Sequence, residues 1–289
     1  MKICPQCHYH FNQQNWHCPA CGYTPPYLEG HLSFAPELAA ASEGFDASAF
    51  PMLAQLEAKN FWFRSRNRLI IYAIKHYFPQ AQTFLEIGCG TGFVLQGIEK
   101  NLPHLTCSGS EIFSKGLEFA NQRLSKTTLF QMDARKIPFI EEFDIIGAFD
   151  VLEHIEQDQD VLRQMYQATK MGGGIILTVP QHPWLWSQAD TYAHHFRRYV
   201  KQDLIIKLKA AGFKVVRVTS FVSILLPLML ISRLNQKSKA KNYDPTIELK
   251  ISGILNLILE KVLDIERWLI QLGLSFPIGG SLLVVAYKK

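Results

Sequence analysis

An α/β fold with a doubly wound, mostly parallel seven-stranded sheet is the class this sequence predicts, and three observations predict it. Thr83-Phe84-Leu85-Glu86-Ile87-Gly88-Cys89-Gly90-Thr91-Gly92 reads as a buried strand, a glycine turn and the start of a helix. Downstream, short apolar runs alternate with helical periods, as parallel strands joined by crossover helices require. Only the last pair of strands, 213–219 and 281–286, lacks a simple strand-helix-strand connection.

Size and charge set the frame. With 289 residues, 48% of them hydrophobic, the chain can bury a full core and hold one large domain plus a small appendage. A net charge of +5 is too mild to argue for nucleic acid, yet it allows local attraction to phosphates or an anionic membrane. No basic segment followed by an apolar one opens the sequence, so a reducing cytoplasm is expected. The longest apolar run, 221–231, is about half of a bilayer span.

Residues 1–25 form the first unit. Cys4-Pro5-Gln6-Cys7 and Cys18-Pro19-Ala20-Cys21 are two C-x-x-C pairs, each fit to aim two thiolates at one ion. Four sulfurs make a closed tetrahedral site, so a structural Zn²⁺ on Cys4, Cys7, Cys18 and Cys21 is expected, with a small β-hairpin in the gap between the pairs. So short a segment has too little apolar surface to fold unaided, and the metal would supply the folding energy. Redox dithiols or disulfides are the alternatives, which a reducing compartment disfavours. His8, His10 and His17 are expected in solvent, because the thiolates already fill the shell. The unit resembles the short zinc ribbons at the N-termini of many bacterial proteins, a resemblance that implies a metal and no function.

Residues 26–50, with Pro26 and an alanine run, read as a linker with one short helix. From there to 289 the chain reads as a single domain. Leu53, Leu56, Phe63, Ile70 and Ile74 recur near a 3.6 period, which predicts a helix over 51–78. Beyond the glycine turn, strands are predicted at 105–111, 128–133, 143–149 and 174–179, and helices at 114–124, 158–169 and 201–211.

Three glycines at alternate positions let backbone N–H groups approach a ligand, and the helix that follows offers its positive end. A dinucleotide fingerprint would need glycine where Phe93 stands. An acidic residue shortly before G-x-G-x-G instead resembles the first motif of class I S-adenosylmethionine (SAM) dependent methyltransferases. That resemblance covers roughly 61–289 and accounts for the unusual last connection, since the family's final strand is reversed. It implies SAM as co-substrate and a site at the carboxyl ends of the strands. Carried onto this sequence, Gly88, Gly90 and Gly92 cradle the amino acid end of SAM. Glu86 orders the glycine loop, Glu111 accepts the ribose hydroxyls and Asp133 receives the adenine amino group. Asp150 opens Asp150-Val151-Leu152-Glu153-His154, which resembles the loop of small-molecule methyltransferases of the ubiquinone-biosynthesis type. In Phe61-Trp62-Phe63-Arg64-Ser65-Arg66 the resemblance implies an arginine for the SAM carboxylate. Arg66 is the first choice because it shares a face with Trp62, and Arg64 is the second.

Methyl transfer from a sulfonium needs chiefly a positioned acceptor and, for a hydroxyl, one base. The stretch His194-His195-Phe196-Arg197-Arg198-Tyr199 resembles a bacterial methyltransferase subgroup with a histidine two residues before Arg-Arg-Tyr, which selects His195 as general base. His154 and His182 are its rivals, and Arg197 or Arg198 would bind an anionic acceptor group. The loop after the fourth strand has neither an Asn/Asp-Pro-Pro-Tyr motif nor a Pro-Cys nucleophile, so nucleic-acid bases are disfavoured as acceptors.

The last feature is an apolar insertion at 221–280. Ile251, Ile254, Leu255, Ile258, Val262, Ile265, Leu269 and Leu272 share one helical face, and Leu257, Leu259, Leu263 and Ile270 widen it. Lys237, Lys239 and Lys241 precede that helix. Two readings stand: a lid for lipid with lysines beside anionic headgroups, placing a cytoplasmic protein peripherally at the inner face of the membrane, or a helical pair packed on the sheet or in a homodimer. The expected function is SAM-dependent methylation, at oxygen, of a small-molecule or lipid-linked acceptor. The alternative is a scaffold that binds SAM or S-adenosylhomocysteine and recruits partners through the ribbon and the insertion.

Overall fold

The computed structural model describes residues 1–40, 45–237 and 250–289. At the N-terminus β1 (Lys2–Ile3) pairs antiparallel with β2 (His10–Phe11). This hairpin wraps the first cysteine pair; it does not fill the gap between the pairs, because the knuckle itself supplies the turn. The ribbon is docked on the large domain. Ile3 donates its N–H to the Pro138 carbonyl at 3.0 Å, and the Trp16 ring lies 4.5 Å from Phe34 and 5.4 Å from Phe139.

The segment expected to be a linker carries structure of its own. A hairpin of β3 (Tyr27–Leu28) and β4 (His31–Ser33) joins the edge of the main sheet. Gln131 secures it, its side-chain oxygen accepting from the Ser33 hydroxyl at 2.7 Å and the Ala35 N–H at 3.1 Å. The helix expected over 51–78 is two helices, α1 (Phe50–Leu56) and α2 (Phe61–Tyr77). Asn60 separates them: its backbone is extended, and its side chain caps α2 by accepting from Trp62 N–H at 2.9 Å.

Five parallel strands follow, β5 (Thr83–Ile87), β6 (Thr106–Glu111), β7 (Thr128–Gln131), β8 (Phe143–Phe149) and β9 (Thr169–Pro180). The helices α3 (Phe93–Asn101), α4 (Ser114–Arg123) and α5 (Asp158–Ala168) connect them. After β9 come α6 (Gln188–Tyr192), α7 (Lys201–Ala210) and β10 (Phe213–Phe221), then α8 (Leu226–Lys237), α9 (Gly253–Gln271) and β11 (Ser281–Lys288). The strand order is β10-β11-β9-β8-β5-β6-β7-β4-β3, with β11 antiparallel to both of its neighbours. The seven expected strands are therefore present, with the reversed last strand, and the β3–β4 hairpin brings the sheet to nine. Helices cover both faces, which explains why Phe84, Leu85 and Ile87 on one strand are all buried.

The insertion is clamped to α2. Asn256 on α9 accepts the Phe61 N–H at 2.7 Å, Arg64 pairs with Glu260, and Arg68 reaches Glu260 at 2.8 Å and Asp264 at 3.1 Å. The buried face of α9 carries Leu259, Leu263, Glu266 and Ile270, so three of its residues come from the set that seemed only to widen the stripe. Ile254, Ile258, Ile265 and Leu272 face outward. Lys239 and Lys241 lie outside the described residues. No described helix is long and apolar enough to cross a membrane.

Candidate active site

At the carboxyl ends of β5 to β9 a cavity of about 1290 Å³ opens, larger than the roughly 300–1,000 Å³ of most small-molecule sites. Residues 88–91 of the glycine turn line its floor, and Gly88, Gly90 and the following Gly92 have φ of 65°, 51° and 75°. A Cβ on Gly88 would sit 2.5 Å from Val151 Cγ2. Gly88→Ala is therefore expected to cost about 1–3 kcal/mol, read as a lower urea midpoint. An unchanged midpoint would mean that the loop and Val151 relax freely. Gly92 does not line the cavity: it starts α3 and packs against Ala120 and Leu124.

The expected carboxylates do converge, with a different division of labour. Glu111, not Glu86, holds the glycine loop: its Oε2 accepts Gly90 N–H at 2.9 Å, and its Oε1 accepts Ile112 and Phe113 N–H at 2.8 and 3.2 Å. Glu86 is buried with Oε2 unbonded, and burial raises its carboxyl well above the ordinary range. Asp133 accepts the Arg135 Nε at 3.0 Å on both oxygens. Asp150, at φ 58°, pairs with Arg66 and accepts the Thr178 hydroxyl at 3.2 Å. The Arg66 guanidinium also lies over the Trp62 ring, 4.5 Å from its centroid. Arg64, the second choice, does not line the cavity; Glu260 holds it.

Across the cavity His195 presents Nδ1 to Asp190 Oδ1 at 3.0 Å. Asp190 is 1% exposed and also accepts from Arg198 Nε at 2.7 Å and Ser187 N–H at 2.8 Å. Burial alone would raise its carboxyl, but the His195 hydrogen bond and the Arg198 charge outweigh burial and hold it well below the usual range. An ionised Asp190 fixes the proton on Nδ1 and leaves Nε2 as the basic nitrogen. His154 lies edge-on to His195, ring centroids 4.6 Å apart, and burial followed by the His195 charge lowers its pKa to about 3, so it is neutral. His182 does not line the cavity. Arg198 does line it, bound to Asp190, whereas Arg197 does not, and pairs with Asp158 at 2.9 Å.

Glu153 was missed at the level of sequence. Both its oxygens are buried without a hydrogen-bond partner, it lines the cavity, and its carboxylate lies within 4.8 Å of ligand atoms on His154 and His195. Its position one residue before His154, on the loop opened by Asp150, was the available signal.

The ribbon cysteines also meet. Cys4 and Cys21 sulfurs are 3.6 Å apart, as are those of Cys7 and Cys18, and all four lie within 4.8 Å of one another. A tetrahedral zinc with Zn–S near 2.3 Å needs S···S near ~3.8 Å, so the donor set fits that ion.

A sheet in this order, with its reversed penultimate position and a glycine turn over its carboxyl edge, defines the class I methyltransferase fold. The chain belongs to the family described as "Methyltransferase domain", whose sequence profile matches residues 54–218, and it is a SAM-dependent methyltransferase. It is 23% identical over 175 residues to the demethylmenaquinone methyltransferase of Thermotoga maritima, a match covering 59% of this chain and 75% of that one. It is 22% identical over 130 residues to the malonyl-[acyl-carrier protein] O-methyltransferase of Priestia megaterium, covering 44% and 47%, so it spans about half of that relative. Among solved structures, a SAM-dependent methyltransferase from Thermotoga maritima has a TM-score of 0.52 at 16% identity, over 84% of this chain and 95% of that one, a likeness of fold.

Proposed function

We propose that the protein methylates an oxygen of a small or lipid-linked acceptor, with His195 as general base. The observation that carries this reading is the Asp190-held His195 on the same cavity as the glycine turn. When bound, SAM supplies a methyl group on a sulfonium, which leaves as neutral S-adenosylhomocysteine. Gly88 and Gly90 give its amino acid end close access to backbone, and the unbonded Glu86 Oε2 accepts from its ammonium. Arg66 exchanges Asp150 for its carboxylate, with Trp62 keeping the guanidinium in place. Glu111 keeps lone pairs for the ribose hydroxyls while anchoring Gly90, and Asp133 takes the adenine amino group. His195 Nε2 removes the acceptor hydroxyl proton as the new O–C bond forms, and Asp190 stabilises the imidazolium. Cys4, Cys7, Cys18 and Cys21 hold a structural zinc that folds the ribbon.

Two features support the acceptor class. The two relatives act on demethylmenaquinone and on malonyl-acyl-carrier protein, the second at oxygen, and apolar residues of the insertion, including Leu225, Met229 and Leu259, wall the outer part of the cavity. The protein then works in the cytoplasm, at the inner face of the membrane. The test is calorimetric SAM binding together with transfer of tritiated methyl from SAM to total lipid and small-molecule extracts. Labelled product in an organic-soluble fraction is expected; SAM binding without product in any fraction would favour a SAM-binding scaffold.

A further inference from the structure

The outer face of α9 inverts the usual pattern of a surface helix. Residues 254, 258, 261, 265, 268 and 272 recur at alternating steps of four and three, a straight stripe along the helix about 27 Å long. Five of them are apolar and exposed: Ile254 by 78%, Ile258 by 54%, Ile265 by 56%, Trp268 by 55% and Leu272 by 65%. The sixth is Lys261. Two carboxylates of the same helix turn inward, Glu260 to Arg64 and Glu266 to the N–H groups of Ser223 and Ile224 at 2.7 and 2.8 Å, while Asp264 bridges Arg68 and Arg267 and lies 3.7 Å from Lys261. A water-facing helix would do the reverse, and a continuous apolar stripe of this length marks a contact surface.

We propose that this face lies on an anionic lipid bilayer and that the acceptor passes from the bilayer into the cavity between α8 and α9. Three observations choose a bilayer over a second copy of the chain. The only charge on the stripe is a cation, which suits anionic headgroups. Trp268, near the C-terminal end of the stripe, has the amphipathic ring favoured at the lipid–water boundary. Leu228 and Leu255 are both exposed and part of the cavity wall, so the cavity opens beside the stripe. A protein partner seated there would cap that opening, whereas a bilayer would feed it. The surface rests on the lipid-linked acceptor proposed above and deepens it by naming the source.

The experiment is flotation of the zinc-loaded full chain with vesicles of phosphatidylcholine alone and of phosphatidylcholine mixed with phosphatidylglycerol. Wild-type protein is expected to float with the anionic vesicles. The double variant Ile258→Asp with Trp268→Glu should reduce the bound fraction by at least about tenfold. Lys261→Glu should reduce it about fivefold on anionic vesicles only. Calorimetric SAM binding serves as the folding control and should match the wild type in both variants. Wild-type protein that stays at the bottom of the gradient at low salt would overturn the proposal. So would light scattering that shows a dimer which the double variant dissolves while vesicle binding is absent. Failure to bind SAM would instead strike at the methyl-transfer reading and leave the flotation result standing.

Discussion

Chelating the ribbon metal, or replacing Cys18 with serine, is expected to lower the melting temperature by roughly 10 °C and to weaken SAM binding by about tenfold. The size follows from what the ribbon covers. Phe11 and Trp16 are buried in one core with Phe130, Met132, Ile137 and Phe139, and losing a buried aromatic costs about 3–5 kcal/mol. In a domain of this size each kcal/mol moves the midpoint by about 2–4 °C. The effect on SAM has a separate cause. Residues 132–135 line the cavity, while the Pro138 carbonyl and Phe139 just beyond them are held by Ile3 and Lys2 of the ribbon. Releasing the ribbon thus loosens the loop that carries Asp133. Metal release confirmed by a colorimetric zinc indicator, with melting temperature and SAM affinity both unchanged, would show that the ribbon is an independent appendage.

His195→Gln should lower kcat by about 10²–10³-fold while leaving SAM affinity within about twofold of wild type, since an amide keeps the shape but cannot take the proton. Asp190→Asn should lower kcat by a similar order: an amide no longer fixes the Nδ1 proton or stabilises the imidazolium. Because Asp190 also holds Arg198 and Ser187, its variant needs the melting temperature beside the rate. Loss of rate with SAM binding intact separates a base from a mere loop anchor. Turnover by His195→Gln at the wild-type rate would remove the histidine from the mechanism.

What the sequence made legible was local. The glycine turn is contiguous, and four of the five parallel strands, β5 to β8, end at or near a carboxylate, Glu86, Glu111, Asp133 or Asp150, at a position that topology fixes in space. The failures share a different physics. The strands β3 and β4 are only two and three residues long, and they exist because β7 and the Gln131 side chain, nearly a hundred residues away, satisfy their hydrogen bonds. The four-residue step from Trp62 did favour Arg66 over Arg64, but the partner that holds Arg64 away from the cavity, Glu260, lies 196 residues downstream and was not legible. In α9 the apolar pattern is wide enough to pack on either side. The direction of Glu260 and Asp264, which follow Arg64 and Arg68, sets the rotation of that helix. Glu153 escaped because a buried carboxylate without a partner looks in sequence like any other acid on a loop.

The clamp between α2 and α9 gives a physical route by which two sites could be linked. The same helix turns Arg66 and Trp62 to the cavity and Arg64 and Arg68 to the insertion, so a shift of α9 would pull on the helix that carries the proposed donor contact. Coupling of this kind is reciprocal. Whatever factor SAM adds to the affinity of the insertion for its outer ligand, that ligand adds to the affinity for SAM. If the proposed donor site and outer surface are both used, occupancy of one would change the affinity of the other by the same factor.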